Sequence, residues 1–178
     1  MNVLAISGSL RKASYNTALL RNASAVAPDG MSIDIATLND IPLYNGDVDG
    51  ADKPAAVLEL AEAIRAADGV LIATPEYNYS ISGVLKNAID WVSRIDNQPL
   101  AAKPLGIMGA SAGGLGTARA QYHLRQVFVY LDARVMNRPE LFVGSAYAKF
   151  DSDGNLTDED TRKFLTTYLL SFNTWLSG

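Results

Sequence analysis

The sequence predicts a doubly wound α/β domain, a parallel sheet covered by helices on both faces. Short continuous apolar runs alternate with helical patterns along the whole chain, as strands buried on both faces require. The length, 178 residues, with 48% hydrophobic and 19% charged side chains, suits one globular unit. No repeat, linker or low-complexity segment breaks the alternation, so residues 1–178 read as a single domain.

The elements follow in order. "NVLAI" at 2–6 is a buried strand, and a polar loop leads into a helix expected from about Asn16 to Ala27, ended by "PDG". "MSIDIATL" at 31–38 alternates like an outer strand. Pro54 suits the first turn of a second helix, which runs to about Ala67 and is closed by Asp68 and Gly69. "GVLIAT" at 69–74 is fully apolar until its last residue, and the loop "PEYNYSIS" separates it from a helix over Gly83 to Arg94. Val84, Leu85, Ala88, Ile89 and Val92 give that helix an apolar stripe, and Lys86 and Asp90 are spaced to pair on its surface. "PLGIMGA" at 104–110 is a fourth buried strand, followed by "SAGGLG" and a helix from about Thr117 to Leu131. "ARVM" and "ELFVG" offer a fifth strand interrupted by Pro139. The last helix spans Thr157 to Leu176, capped by Thr157, with Asp158 to Asp160 at the positive end of its dipole.

Composition excludes several classes of function. Fifteen basic against nineteen acidic side chains give a net charge of -4, which offers no general attraction for nucleic acid or an anionic membrane. Any anionic ligand must be bound locally. With no cysteine there is no disulfide, thiolate metal site or thiol nucleophile, so redox work needs a cofactor. The N-terminus enters the first strand without a signal-peptide pattern, and no run approaches the ~20 apolar residues that span a bilayer. A cytoplasmic protein is expected, in which the sequons at Asn22, Asn78 and Asn155 are silent. His123 is the only histidine, expected on a helix surface or interface; no metal site or Ser-His-Asp system has support. "DSDGN" at 151–155 fails as a calcium loop, because its glycine falls two places early and Arg162 stands where a bidentate glutamate belongs.

In open sheets of this kind ligands bind beyond the carboxyl ends of the strands. The loops there are 7–16, 75–83 and 111–116. The first, "SGSLRKASYNT", opens a helix, where free N–H groups and the dipole favour an anion. Ser7, Ser9, Ser14, Asn16 and Thr17 add short donors, Gly8 permits a close approach, and Arg11 supplies a planar charged fork. This looks like a phosphate cradle. A P-loop would need glycine and lysine where Ala13 and Ser14 stand, and a dinucleotide fingerprint would need glycine at Leu10 and Ala13. A receiver domain would place acidic residues where the first strand instead ends Ile6-Ser7-Gly8.

"GSLRKASYN" together with "PEYNYSISGVLKNAIDW" resembles the NADPH-dependent FMN reductase family, and "QYHLRQVFVYLDARVMNRPE" at 121–140 is similar to its quinone and chromate reductase branch. The resemblance implies a flavodoxin-like three-layer sandwich with a five-stranded parallel sheet in the order 2-1-3-4-5. It implies FMN as cofactor, NADPH or NADH as donor, and quinones, chromate, azo compounds or free flavin as acceptors in a ping-pong cycle. By position it implicates Ser9, Arg11, Ser14, Asn16 and Thr17 at the FMN phosphate, Pro75, Glu76, Tyr77 and Asn78 along the isoalloxazine ring, and Ser111 and Gly113 from the third loop.

On that basis Pro75 keeps Thr74 extended and aims the loop, and the N–H groups of Glu76 to Asn78 are expected to meet the ring's polar edge. Hydride transfer to flavin needs no protein proton donor at the reacting carbon, so Glu76 is expected to fix the loop or a neighbouring subunit, and no catalytic side chain is assigned. Family members commonly carry proline where this chain has Ser82, so a less constrained loop is expected, with the flavin retained. Tyr122, Phe128 and Tyr130 lie on more than one side of their helix, and the resemblance implies a homodimer or homotetramer, with Arg119, Arg125 and Glu140 as inter-subunit pairs. Two rivals stand beside this reading. One is a flavodoxin proper, a carrier of single electrons, for which -4 is a mild charge. The other is a flavin-free nucleoside-processing enzyme on the same fold.

Overall fold

Val3–Ile6, Val70–Ala73 and Leu105–Ala110 offer no polar side chain to water, and all are buried in the centre of one sheet. The computed structural model describes residues 1–50 and 53–178. Its strands are β1 (Asn2–Ser7), β2 (Ser32–Ala36), β3 (Gly69–Ala73), β4 (Pro104–Ala110), β5 (Arg134–Val135) and β6 (Leu141–Val143). Its helices are α1 (Tyr15–Ala25), α2 (Ala55–Ala66), α3 (Gly83–Val92), α4 (Ala118–Tyr130) and α5 (Glu159–Leu176).

The sheet runs β2-β1-β3-β4-β5 and is parallel throughout, the order that the family resemblance implies. The interrupted fifth strand becomes two short ones in tandem along β4. Pro104 faces Arg134 in β5, and Met108 faces Leu141 in β6, with the cis Arg138–Pro139 bond between them.

Alternation of side chains along each strand divides the core in two. Leu71, Ala73 and Met108 join Leu19 and Leu20 of α1 and Leu165, Tyr168 and Phe172 of α5 on one face. Val70, Ile72, Leu105 and Ile107 join Leu60 and Ile64 of α2, Leu85 and Ile89 of α3, and Leu124 and Phe128 of α4 on the other. Gly106 lets α5 lie close to β4: a Cβ there would stand 2.8 Å from the Tyr168 hydroxyl and 3.1 Å from the Phe172 ring. The Tyr168 hydroxyl donates to the Ile107 carbonyl at 2.9 Å, and burial pushes its pKa up.

Side chains cap the helix starts, and one departs from expectation. Ser14 caps α1, its Oγ accepting from the Asn16 and Thr17 N–H groups. Asp158, in place of Thr157, caps α5 by accepting from the Thr161 N–H at 2.9 Å; the Thr157 hydroxyl instead donates to the Lys149 carbonyl. A carboxylate two bonds from its Cα reaches the first turn as well as a hydroxyl does, and its charge adds a favourable dipole interaction.

The segment between β2 and α2 is strapped to α3. Asn87 donates to the Pro42 carbonyl and accepts from the Tyr44 N–H, both at 2.8 Å, and Trp91 Nε1 donates to the same carbonyl. Asp49 accepts from Lys53, from Arg94 Nε at 3.1 Å and from the Tyr44 hydroxyl at 3.0 Å. Those donors, Lys53 foremost, hold its carboxyl down at about 2.

Candidate functional site

Because every strand is parallel, Ser7, Ala73 and Ala110 end β1, β3 and β4 on one edge of the sheet, and the loops after them meet there. They are tied to one another by side chains. The Asn16 amide donates to the Ala110 carbonyl at 3.0 Å and accepts from the Ala110 N–H at 2.9 Å, fixing α1 to the end of β4. The Ser82 hydroxyl donates to the Gly8 carbonyl at 2.6 Å, joining the second loop to the first.

The first loop is rich in free donors. Among the described residues the N–H groups of Leu10, Lys12, Ala13 and Tyr15 have no partner, and all belong to the loop or the first turn of α1. Ser14 occupies the cap between them. Ser9 is buried, and its Oγ accepts only a long contact from the Arg11 N–H at 3.4 Å. Ser7 Oγ and Thr17 Oγ1 lie 2.8 Å apart and share a hydrogen. Arg11 extends over the Tyr15 ring and donates to the Ala13 carbonyl. Unpaired N–H groups, a helix N-terminus and an exposed guanidinium form the donor set that a phosphate needs. The Asn16 amide is anchored to Ala110 through its Oδ1 and one Nδ2 hydrogen, which shapes the cradle and leaves the second Nδ2 hydrogen without a partner among the described residues.

The second loop is a tight hairpin. The Tyr77 N–H donates to the Ser80 carbonyl at 2.9 Å and the Ser80 N–H to the Tyr77 carbonyl at 3.0 Å. Between them Asn78 (φ 52°) and Tyr79 (φ 68°) both adopt left-handed backbone, which makes a type I′ turn without glycine. A tyrosine held there is a strained residue in an exposed loop. The turn also consumes the Tyr77 N–H, so of the expected donors only those of Glu76 and Asn78 lack a partner among the described residues. Pro75 is buried at the start of the loop.

What holds this hairpin is α4. The Glu76 carboxylate accepts from the N–H groups of Arg119 at 3.0 Å and Ala120 at 3.1 Å, capping a helix whose own cap residue, Thr117, makes no side-chain bond to the helix N–H groups. Arg119 lies 3.6 Å from that carboxylate and 4.0 Å over the Tyr79 ring. His123 Nδ1 stands 3.1 Å from Ser80 Oγ one turn further on. Glu76 therefore fixes the loop within its own chain, and Arg119 and Arg125, offered by the sequence for pairing between subunits, pair internally with Glu76 and Glu140.

Ser82 corrects an expectation. In place of a looser loop, its hydroxyl is buried, caps α3 by accepting from the Leu85 N–H at 3.3 Å, and grips Gly8. Within the third loop Ser111 Oγ donates to the Gly116 carbonyl at 2.5 Å, and the Gly113 carbonyl ties the loop to the segment after β6 by accepting from the Ser145 N–H at 3.1 Å. No group of acidic or histidine side chains suited to a metal occurs among the described residues, and none of their helices is long and apolar enough to cross a membrane.

Residues 1–148 match the family model described as NADPH-dependent FMN reductase. The chain is 53% identical over 176 residues to an NAD(P)H-dependent FMN reductase of Pseudomonas aeruginosa, covering 99% of this chain and 95% of the relative. It is 48% identical over 179 residues to a quinone reductase of Escherichia coli, with the same coverage of 99% and 95%. Among solved structures, the flavoenzyme NAD(P)H:(acceptor) oxidoreductase of Paracoccus denitrificans superposes with a TM-score of 0.90 at 36% identity, covering 99% of this chain and 97% of that one.

Proposed function

The chain belongs to the NADPH-dependent FMN reductase family, and from that premise we propose that it is an FMN-dependent NAD(P)H oxidoreductase that reduces quinones. The observation that carries the reading is the meeting, on one sheet edge, of a loop of unpaired N–H donors with a rigid, strained aromatic hairpin. Ser9, Arg11, Ser14 and the N–H groups between them hold the phosphate, while Asn16 and Thr17 shape the turn that presents those donors. Pro75, Glu76, Tyr77 and Asn78 form the wall for the ring, the N–H groups of Glu76 and Asn78 facing its polar edge. Ser111 and Gly113 bound it from the third loop.

FMN held by these loops would supply the redox chemistry, through which the two electrons and one proton of an NAD(P)H hydride, with a second proton from solvent, would reach a quinone. The protein's part is placement. Glu76 and Arg119 keep the hairpin from relaxing, so the ring meets donors already aimed at it. Tyr77 and Tyr79 are exposed at the mouth, where a flat donor or acceptor can stack. A broad choice of acceptor follows from so open a rim, and dependence on the NAD(P)H pool fits a cytoplasmic enzyme. On α4, Tyr122, Val129 and Tyr130 are 56%, 80% and 90% exposed, which supports assembly into a homodimer or homotetramer, to be read by light scattering.

An anaerobic absorbance scan tests the function directly. The reconstituted protein is expected to show a flavin band that NADPH bleaches and benzoquinone restores. A protein that takes up no FMN overturns the proposal.

A further inference from the structure

We propose that Ser82 is a positioning residue for the phosphate end of the cofactor, acting through the Gly8–Ser9 peptide. The inference rests on the FMN reading above. Ser82 opens the helix after the ring loop, yet its hydroxyl reaches across to the phosphate loop and donates to the Gly8 carbonyl at 2.6 Å. A trans peptide points its carbonyl and its N–H in opposite directions. Holding the Gly8 carbonyl toward α3 therefore turns the Ser9 N–H away from α3, toward the Ser7 hydroxyl at the end of β1, which itself lies 2.8 Å from Thr17 Oγ1 in the first turn of α1. There the Ser9 N–H makes only a 3.4 Å contact to Ser7 Oγ, long for such a bond, so the donor is weakly satisfied within the protein.

The rest of Gly8 is already immobilised. Its N–H donates to the Ala73 carbonyl at 2.9 Å, and a Cβ on it would lie 3.1 Å from Pro75 Cδ and 3.2 Å from Leu85 Cδ2. One peptide plane is left to be set, and Ser82 sets it. Because the same oxygen caps α3, a single side chain fixes both a phosphate donor and the helix that follows the ring wall.

The test compares FMN with riboflavin, which carries the same ring without the phosphate, in fluorescence-quenching titrations of wild type, Ser82→Ala and Ser82→Thr. Loss of a well-aimed donor to a charged group predicts about tenfold weaker FMN binding by Ser82→Ala. Riboflavin binding is expected to stay within about twofold of wild type, since no phosphate is present to miss the donor. Ser82→Thr, which keeps the hydroxyl, is expected to restore the preference for FMN. Equal weakening of both flavins, or unchanged FMN binding, overturns the inference and leaves FMN binding itself intact. Failure of wild type to take up FMN overturns the functional reading and this inference with it.

Discussion

Replacing Glu76 separates a structural carboxylate from a chemical one. In Glu76→Ala two N–H groups at the start of α4, Arg119 and Ala120, lose their acceptor, and Arg119 loses its partner. Loss of a helix cap is worth about 1 kcal/mol and the charge at the dipole about 0.5–1 kcal/mol more. The Arg119 pair adds little, because that guanidinium is 44% exposed. The sum, about 2 kcal/mol, corresponds to a fall of roughly 4–8 °C in melting temperature for a domain of this size. Glu76→Gln keeps an acceptor and loses only the charge, so a fall of about 1–4 °C is expected. Calorimetry of the flavin-free protein gives these shifts, and NADPH–quinone turnover gives the second arm. The glutamine variant is expected to turn over within about threefold of wild type. A melting temperature unchanged in Glu76→Ala would refute the cap, and a hundredfold loss of turnover in Glu76→Gln without loss of stability would make the carboxylate an acid–base group.

Three other outcomes can be checked. Arg11→Ala should weaken FMN about tenfold to a hundredfold in the same titration, with riboflavin little changed, because a charge-assisted bond to phosphate contributes roughly 1.5–3 kcal/mol. Asp49 has a pKa lowered from 3.8 to about 2 in the folded chain, so the stability it contributes is present above pH ~4 and is lost as the pH falls toward 2. Denaturation curves of wild type and Asp49→Asn should therefore differ at neutral pH and converge across that window. Gly106→Ala should lower stability by about 2–3 kcal/mol in urea titrations, since its methyl would overlap the Tyr168 hydroxyl and Leu71.

The architecture was legible because its signals are local. β1, β3 and β4 are uninterrupted apolar runs, and α3 carries its stripe at helical spacing, so both periodicities speak within a dozen residues. The site was legible to the level of the loop. What each side chain does there depends on partners far along the chain: Asn16 on Ala110, Ser82 on Gly8, and Glu76 on the N–H groups of Arg119 and Ala120. No spacing rule reaches across 43 to 94 residues. The same limit hid the partner of His123. Tyr79 is a different case. Its left-handed backbone violates the preference of its own residue type, and only the hairpin bonds and the Arg119 stack around it make that conformation hold.

The close seat of α5 against Gly106 has a consequence for biosynthesis. That helix leaves the ribosome after all the strands it covers, at about 5–20 residues per second. Until it docks, Leu71, Met108 and Leu141 lack part of their cover on one side, a greasy strip on an otherwise assembled sheet. Nascent chains of this protein should accordingly attract holdase chaperones in the seconds before the final eighteen-residue helix seats its rings.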